Sequence, residues 1–197
     1  MIGLLVGLSL GLLVLAAGSQ MLAQLLRGHR MNLQSSHVQH DLRTAIDGMT
    51  GELRQAQYSA KAWQTRSPSV CDDSFCDGLE DFSIEGDWID FSRDRNHNGT
   101  QDEDECLGFR LSNHVLMARR SCSGSGSWLP ISDRASLEFT ALNWQLQCEL
   151  RQGWLHRTLQ VTLSGQWPGD ASRAFSLTQT VHMRNDLPAS TRALFCP

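Results

Sequence analysis

The sequence predicts an α+β fold, with a long N-terminal helix packed on an antiparallel β-sheet and braced by disulfides. Three observations carry that expectation. From Ile2 to Gly18 every residue is apolar or glycine except Ser9, and no charge appears before Arg27. From Val38 to Ala56 apolar residues recur at steps of three and four, and no proline interrupts the chain from Met1 to Tyr58. Beyond Phe82, short alternating segments separated by Gly, Pro and Asp turns take over, and the chain holds six cysteines.

Residues 1–26 form the first half of the helix, with the apolar run continuing through Met21, Leu22, Leu25 and Leu26. A run of ~20 such residues is long enough to span a bilayer. No basic residue precedes it, unlike the positive start of an ordinary secretory signal. Residues 27–57 form an amphipathic half, with Val38, Leu42, Ile46 (beside Ala45), Met49, Leu53 and Ala56 on one stripe. One helix from Ile2 to about Gln57 is expected, roughly 80 Å long at ~1.5 Å per residue. Gly28, Gly48 and Gly51 weaken it and are candidate bends.

Residues 58–197 read as a β-rich globular part. The segment 59–81 is loop-like, with strands expected at 82–85, 88–92, 107–111, 115–119, 136–150, 155–167 and 173–184. A Ser/Gly turn spans 121–127 and leads to Trp128. Alternation is clear where Leu159, Val161 and Leu163 interleave with Gln160, Thr162 and Ser164. The expectation is one antiparallel meander with a single buried face under the helix stripe.

Between two of these strands lies Asp94-Arg95-Asn96-His97-Asn98-Gly99-Thr100-Gln101-Asp102-Glu103-Asp104-Glu105. Position by position it fits a calcium-binding loop of the EF-hand type. Asp94, Asn96 and Asn98 alternate, so their oxygens can converge on one cation. Gly99 sits at the sharp turn and Thr100 where a backbone carbonyl ligates. Asp102 falls where a ligand often acts through water, and Glu105 where a bidentate carboxylate closes the shell. Five carboxylates crowd the loop against Arg95 alone, and without a cation they repel one another. The flanks read as strands rather than helices, which suits a structural Ca2+ rather than a switch.

The cysteines are Cys71, Cys76, Cys106, Cys122, Cys148 and Cys196. Their even number, without paired C-x-x-C zinc spacing, favours disulfides and an oxidising compartment. Connectivity does not follow from sequence. The preferred set is Cys71–Cys76 closing a short acidic loop, Cys106–Cys122 pinning the exit of the calcium loop, and Cys148–Cys196 tying the tail to a strand. A formal charge of −4 gives no general electrostatic case for nucleic acid. Nothing points to an enzyme. Ser123 to Ser127 is not a G-x-S-x-G elbow, and His37 with His40 is a solvated helix pair. His97 sits at a non-ligand position of the calcium loop. The six tryptophans are expected to pack in the core or on the sheets, with partner contact the alternative for Trp63 and Trp128, placed in loops.

Several segments carry a family resemblance. Ile2-Gly3-Leu4-Leu5-Val6-Gly7-Leu8 resembles the hydrophobic start of type IV pilin-like proteins. Glu52-Leu53-Arg54-Gln55-Ala56-Gln57-Tyr58 resembles the end of the first helix in PilW-type minor pilins and J-type minor pseudopilins. Val181-His182-Met183-Arg184-Asn185 is similar to their last strand. From Trp88 to Trp128 the chain is similar to the prepilin-peptidase-dependent protein B branch. The resemblance implies a pilin-like fold and an assembly role through helix packing with other minor and major pilins or pseudopilins. It further implies an inner-membrane anchor, a periplasmic domain and a place at a pilus or pseudopilus tip, with no nucleic acid required. The family begins with a basic leader, then Phe and a glutamate, whereas Gly3 stands at the glutamate position here. That suits either a leader lying upstream of Met1 or a subunit at the top of the stack. The alternative function is a membrane-anchored or secreted calcium-binding adhesion module unrelated to pili.

Overall fold

The computed structural model describes residues 2–123 and 127–196; the centre of the expected Ser/Gly turn, Gly124-Ser125-Gly126, lies outside the described residues. Helix α1 (Ile2–Leu53) runs unbroken through Gly28, Gly48 and Gly51. Its two halves differ in what covers them. Val38, Leu42, Ile46, Met49 and Leu53 are all 3% exposed or less, whereas Leu12, Leu15, Met21, Leu25 and Leu33 are exposed. The helix stops at Leu53, short of Gln57. The N–H groups of Gln55 and Ala56 bond three residues back, to Glu52 O (3.0 Å) and Leu53 O (3.1 Å), which tightens the last turn. Gln57 then takes a left-handed φ of 55°. Ala56 keeps the apolar step and stays buried although the backbone has already left the helix.

A short helix α2 (Ala62–Thr65) and a small hairpin, β1 (Arg66–Ser67) with β2 (Val70–Cys71), follow within the segment expected to be loop. The rest forms two sheets rather than one meander. The first is a five-stranded meander of β3 (Phe82–Glu85), β4 (Trp88–Ser92), β5 (Cys106–Ser112), β6 (Val115–Arg119) and β7 (Trp128–Pro130). Pro130 has no N–H to extend a ladder, so this sheet ends there. The second is built on β9 (Trp154–Trp167). It is flanked on one side by β8 (Glu138–Arg151) and on the other by β10 (Asp170–His182), then β11 (Leu187–Pro188). Helix α3 (Arg192–Phe195) closes the chain. Trp128, expected in a loop, belongs to β7 and lies beneath the Arg110 guanidinium, 4.4 Å from its ring centroid.

One core joins both sheets to the helix. Leu155, Leu159, Val161 and Leu163 of β9 alternate inward, and Ile89, Phe91, Leu107 and Phe109 approach from the other sheet. Disulfides join Cys71 to Cys76, Cys106 to Cys122 and Cys148 to Cys196, with Cα–Cα separations of 6.1, 4.7 and 6.2 Å.

Asp81, in the turn before β3, is fully buried. It accepts from the N–H of Asp77 (3.1 Å) and Gly78 (3.2 Å), from Ser92 Oγ (2.7 Å) and from Gln101 Nε2 (3.2 Å). Burial outweighs these donors and pushes its pKa up from 3.8 to about 7. The folded chain therefore holds a proton that the unfolded chain has already released, and Asp81's contribution to stability falls as pH rises from 4 to 7. We expect Asp81→Asn to gain on the native protein by up to ~3 kcal/mol between pH 5 and 8, at ~1.4 kcal/mol for each tenfold difference in proton affinity between folded and unfolded chain. Unfolding midpoints in chelator at the two pH values check this, and a difference independent of pH contradicts it.

Candidate functional site

The loop between β4 and β5 gathers the residues expected to hold calcium. Asp94 and Glu105, its first and last members, are 2% and 0% exposed. Asp94 Oδ2 accepts from the N–H of Gly99 (2.9 Å) and Ala60 (2.9 Å), and Oδ1 from Asn98 (3.1 Å). Glu105 Oε1 accepts from Arg95 N (2.6 Å) and Asn96 N (3.3 Å), and Oε2 from Asp102 N (3.0 Å). The amides of Asn96 and Asn98 both meet Asp102 Oδ2, at 2.6 and 2.7 Å, and Thr100 N donates to Asn98 Oδ1 at 2.7 Å. Gly99 turns the chain with φ 73°. The loop is thus folded around its own oxygens.

Two buried carboxylates held by backbone N–H groups are a donor set suited to a hard cation. Among the described residues, the group of His, Cys, Asp or Glu ligand atoms lying within 4.8 Å of one another is Cys71, Asp73 and Cys76, whose sulfurs are joined as a disulfide. The loop's carboxylates are set wider, with the Asn amides between them. Glu103 faces away. It accepts from Ser121 Oγ (2.6 Å), Ser123 N (3.0 Å) and Ser123 Oγ, and these bonds hold its carboxyl below the usual range.

The loop rests on the helix end. Tyr58 O accepts from Asp94 N (2.9 Å), and Gln57 N donates to Ser92 O (2.7 Å). The carbonyls of the turn that follows α1 are taken up by one nearby and two distant donors. Arg184 N donates to Arg54 O (3.1 Å), Asn185 Nδ2 to Ala56 O (3.0 Å) and Arg66 Nη2 to Gln57 O (2.9 Å). Arg66 is fixed in turn by a buried ion pair to Asp73, 2.6 Å from Nε to Oδ2. The two motifs 52–58 and 181–185 are therefore the two halves of one clasp.

Arg157 is the buried group at its centre, 2% exposed. Its Nη1 donates to Gln57 Oε1 and its Nη2 to Asn185 O (3.2 Å), while its guanidinium stacks over Phe82, 5.1 Å from the ring centroid. Burial first, then the charge of Arg66, lowers its pKa to about 9, and Asp186 opposes the shift. Sequence reading missed Arg157, although the inward alternation of Leu155, Leu159 and Leu163 already puts position 157 in the core. Elsewhere His37 and His40 are exposed on α1, and Trp63 is 79% exposed. His97 is exposed, with Nδ1 3.3 Å from the Tyr58 hydroxyl.

A half-exposed apolar helix feeding a disulfide-bonded antiparallel head defines a pilin-like class of protein. The family model for Prepilin peptidase-dependent protein B matches residues 31–183. The chain belongs to that pilin-related family. No curated protein and no solved structure matches it.

Replacing Asn185 by Ala leaves the Ala56 carbonyl without its partner. We expect a loss of ~1–2 kcal/mol, with faster amide exchange concentrated around the helix end. Protection unchanged at residues 53–58 contradicts the clasp.

Proposed function

We propose that this protein is a minor pilin or pseudopilin that helps initiate or cap a type IV pilus or a related fibre. It is an assembly protein rather than an enzyme. The observation that carries the reading is the division of α1. The described apolar side chains of its first half have nothing to pack on within the chain, while Val38 to Leu53 are sealed by the head. The helix carries a stretch long and apolar enough to cross a membrane, none of it buried. In a bilayer that stretch meets lipid; in a fibre it meets the same stretch of neighbouring pilins. The head then stands in the periplasm and rides at the tip.

Full-length protein should fractionate with the inner membrane and need detergent, whereas a chain starting at about Gly28 should be soluble. Full-length protein free in the periplasm would remove the basis of this reading. Crosslinking to neighbouring pilins through positions 10–26 separates it from a solitary anchored adhesion module.

We further propose that Asp94, Asn96, Asn98, Asp102 and Glu105 hold a structural Ca2+, with Thr100 giving its carbonyl. The ion neutralises two buried carboxylates and locks the connector between β4 and β5. At a hundredfold excess over its dissociation constant, calcium should stabilise the head by ~2.7 kcal/mol. Chelation should therefore lower the melting temperature. Glu105→Gln should weaken binding far more than Glu103→Gln, because Glu103 serves the Ser121–Ser123 turn. Equal melting curves in calcium and chelator, with no heat on titration, would return the loop to an ordinary acidic turn.

A further inference from the structure

Beside the calcium loop lies a recess of about 420 Å³, lined by Arg54, Arg93, Arg95, Arg184, His97 and Tyr58. Four arginines around one recess, Arg93 half-buried and Arg54, Arg95 and Arg184 exposed, stand out in a chain whose formal charge is −4. They come from three places: the end of α1, the calcium loop with its entry, and the segment after β10. The clasp brings them together, since Arg184 N is bonded to Arg54 O.

Their countercharges are incomplete. Arg93 pairs with Glu52 (2.8 Å) and donates to Gln55 Oε1 (2.7 Å), but its buried Nε has no partner among the described residues. Its side chain is 14% exposed, so this is not a solvated surface arginine. Arg95 pairs with Asp104 at 3.1 Å. The guanidiniums of Arg54 and Arg184 make no ion pair among the described residues. Two guanidinium forks without an ion-pair partner, beside the Tyr58 hydroxyl that meets His97 Nδ1, are the donors this recess has to offer. A carboxylate fills one fork, whereas a tetrahedral oxyanion has oxygens for two.

We propose that this recess binds a tetrahedral oxyanion, a phosphoryl or sulfuryl group, and that calcium in the adjoining loop strengthens the binding. The calcium dependence rests on the calcium site proposed above. Asp94 and Arg95 belong to both the loop and the recess. Without an ion, the loop's carboxylates offset the field of the arginines. With one, they are largely neutralised and the recess turns net positive. Coupling of this kind is reciprocal, so the anion tightens calcium by the same factor. A lipid headgroup is the wrong source. Leu26 ends the apolar run and lies 28 residues before Arg54, which on a helix is roughly 40 Å along the axis.

The test uses full-length protein in neutral detergent, titrated calorimetrically with sulfate, which stays soluble beside millimolar calcium. Saturable binding at least ~5-fold tighter in calcium than in chelator is expected, in the range of ordinary coupling energies. The Arg54→Gln/Arg184→Gln double variant should lose sulfate binding and keep its calcium heat. Methyl phosphate should compete with sulfate, whereas chloride and acetate at equal ionic strength should not. Absence of saturable sulfate binding, or equal binding by the double variant, overturns the oxyanion site. Equal sulfate affinity with and without calcium, in protein that does bind calcium, overturns the linkage. If calcium gives no heat at all, the calcium reading fails, and the chelator titration of native and double-variant protein still decides the recess.

Discussion

The carbonyls freed at the end of α1 are the constraint on which the head depends. A helix that ends inside a protein leaves acceptors that water cannot reach, and each needs a donor. Here the donors are Arg66, nine residues on, and Arg184 and Asn185, far along the chain. Gln57 adds a left-handed turn and a side chain that receives Arg157. The arrangement welds helix, hairpin, β9 and the end of β10 at one point. It also sets the position of the calcium loop, because Tyr58 O holds Asp94 N.

Burial of charge is the second theme, and it is handled in three ways. Arg66 and Asp73 neutralise each other directly. Arg157 lies against aromatic faces and carbonyl oxygens, and its proton is loosened by burial. Asp81 keeps a proton near neutral pH, again because it is buried. Asp94 and Glu105 differ from all three. Their buried oxygens accept backbone N–H groups, and among the described residues no cationic side chain pairs with them, which is what the proposed calcium site rests on.

Much of this was legible in the sequence. The stripe Val38, Leu42, Ile46, Met49 and Leu53 keeps helical spacing over several turns, and β8, β9 and β10 alternate over 13 or 14 residues. Strands β1, β2, β7 and β11 are two or three residues long, too short to carry any period. The end of α1 is hidden because Ala56 preserves the apolar step after the backbone has turned. The division into two sheets is hidden because alternation reports a buried face and says nothing of which ladder a strand joins. The place of the loop between two strands was readable because its polar, Gly-centred run interrupts two short apolar segments. The arginine recess was not, since Arg54, Arg93 and Arg184 meet only through tertiary contact.

The clasp also orders events in time. Its hydrogen bonds join Gln57 to Arg157 across 100 residues and Ala56 to Asn185 across 129. Closure over such separations is slow and must await nearly the whole chain. Synthesis delivers α1 first and the residues that close the clasp last. Throughout that interval the stripe that β9 and β10 later cover lies open. Closure of the last strand is thus a commitment step. Before it the apolar stripe of α1 is uncovered; after it the stripe is sealed, while the described apolar side chains of the helix's first half stay exposed.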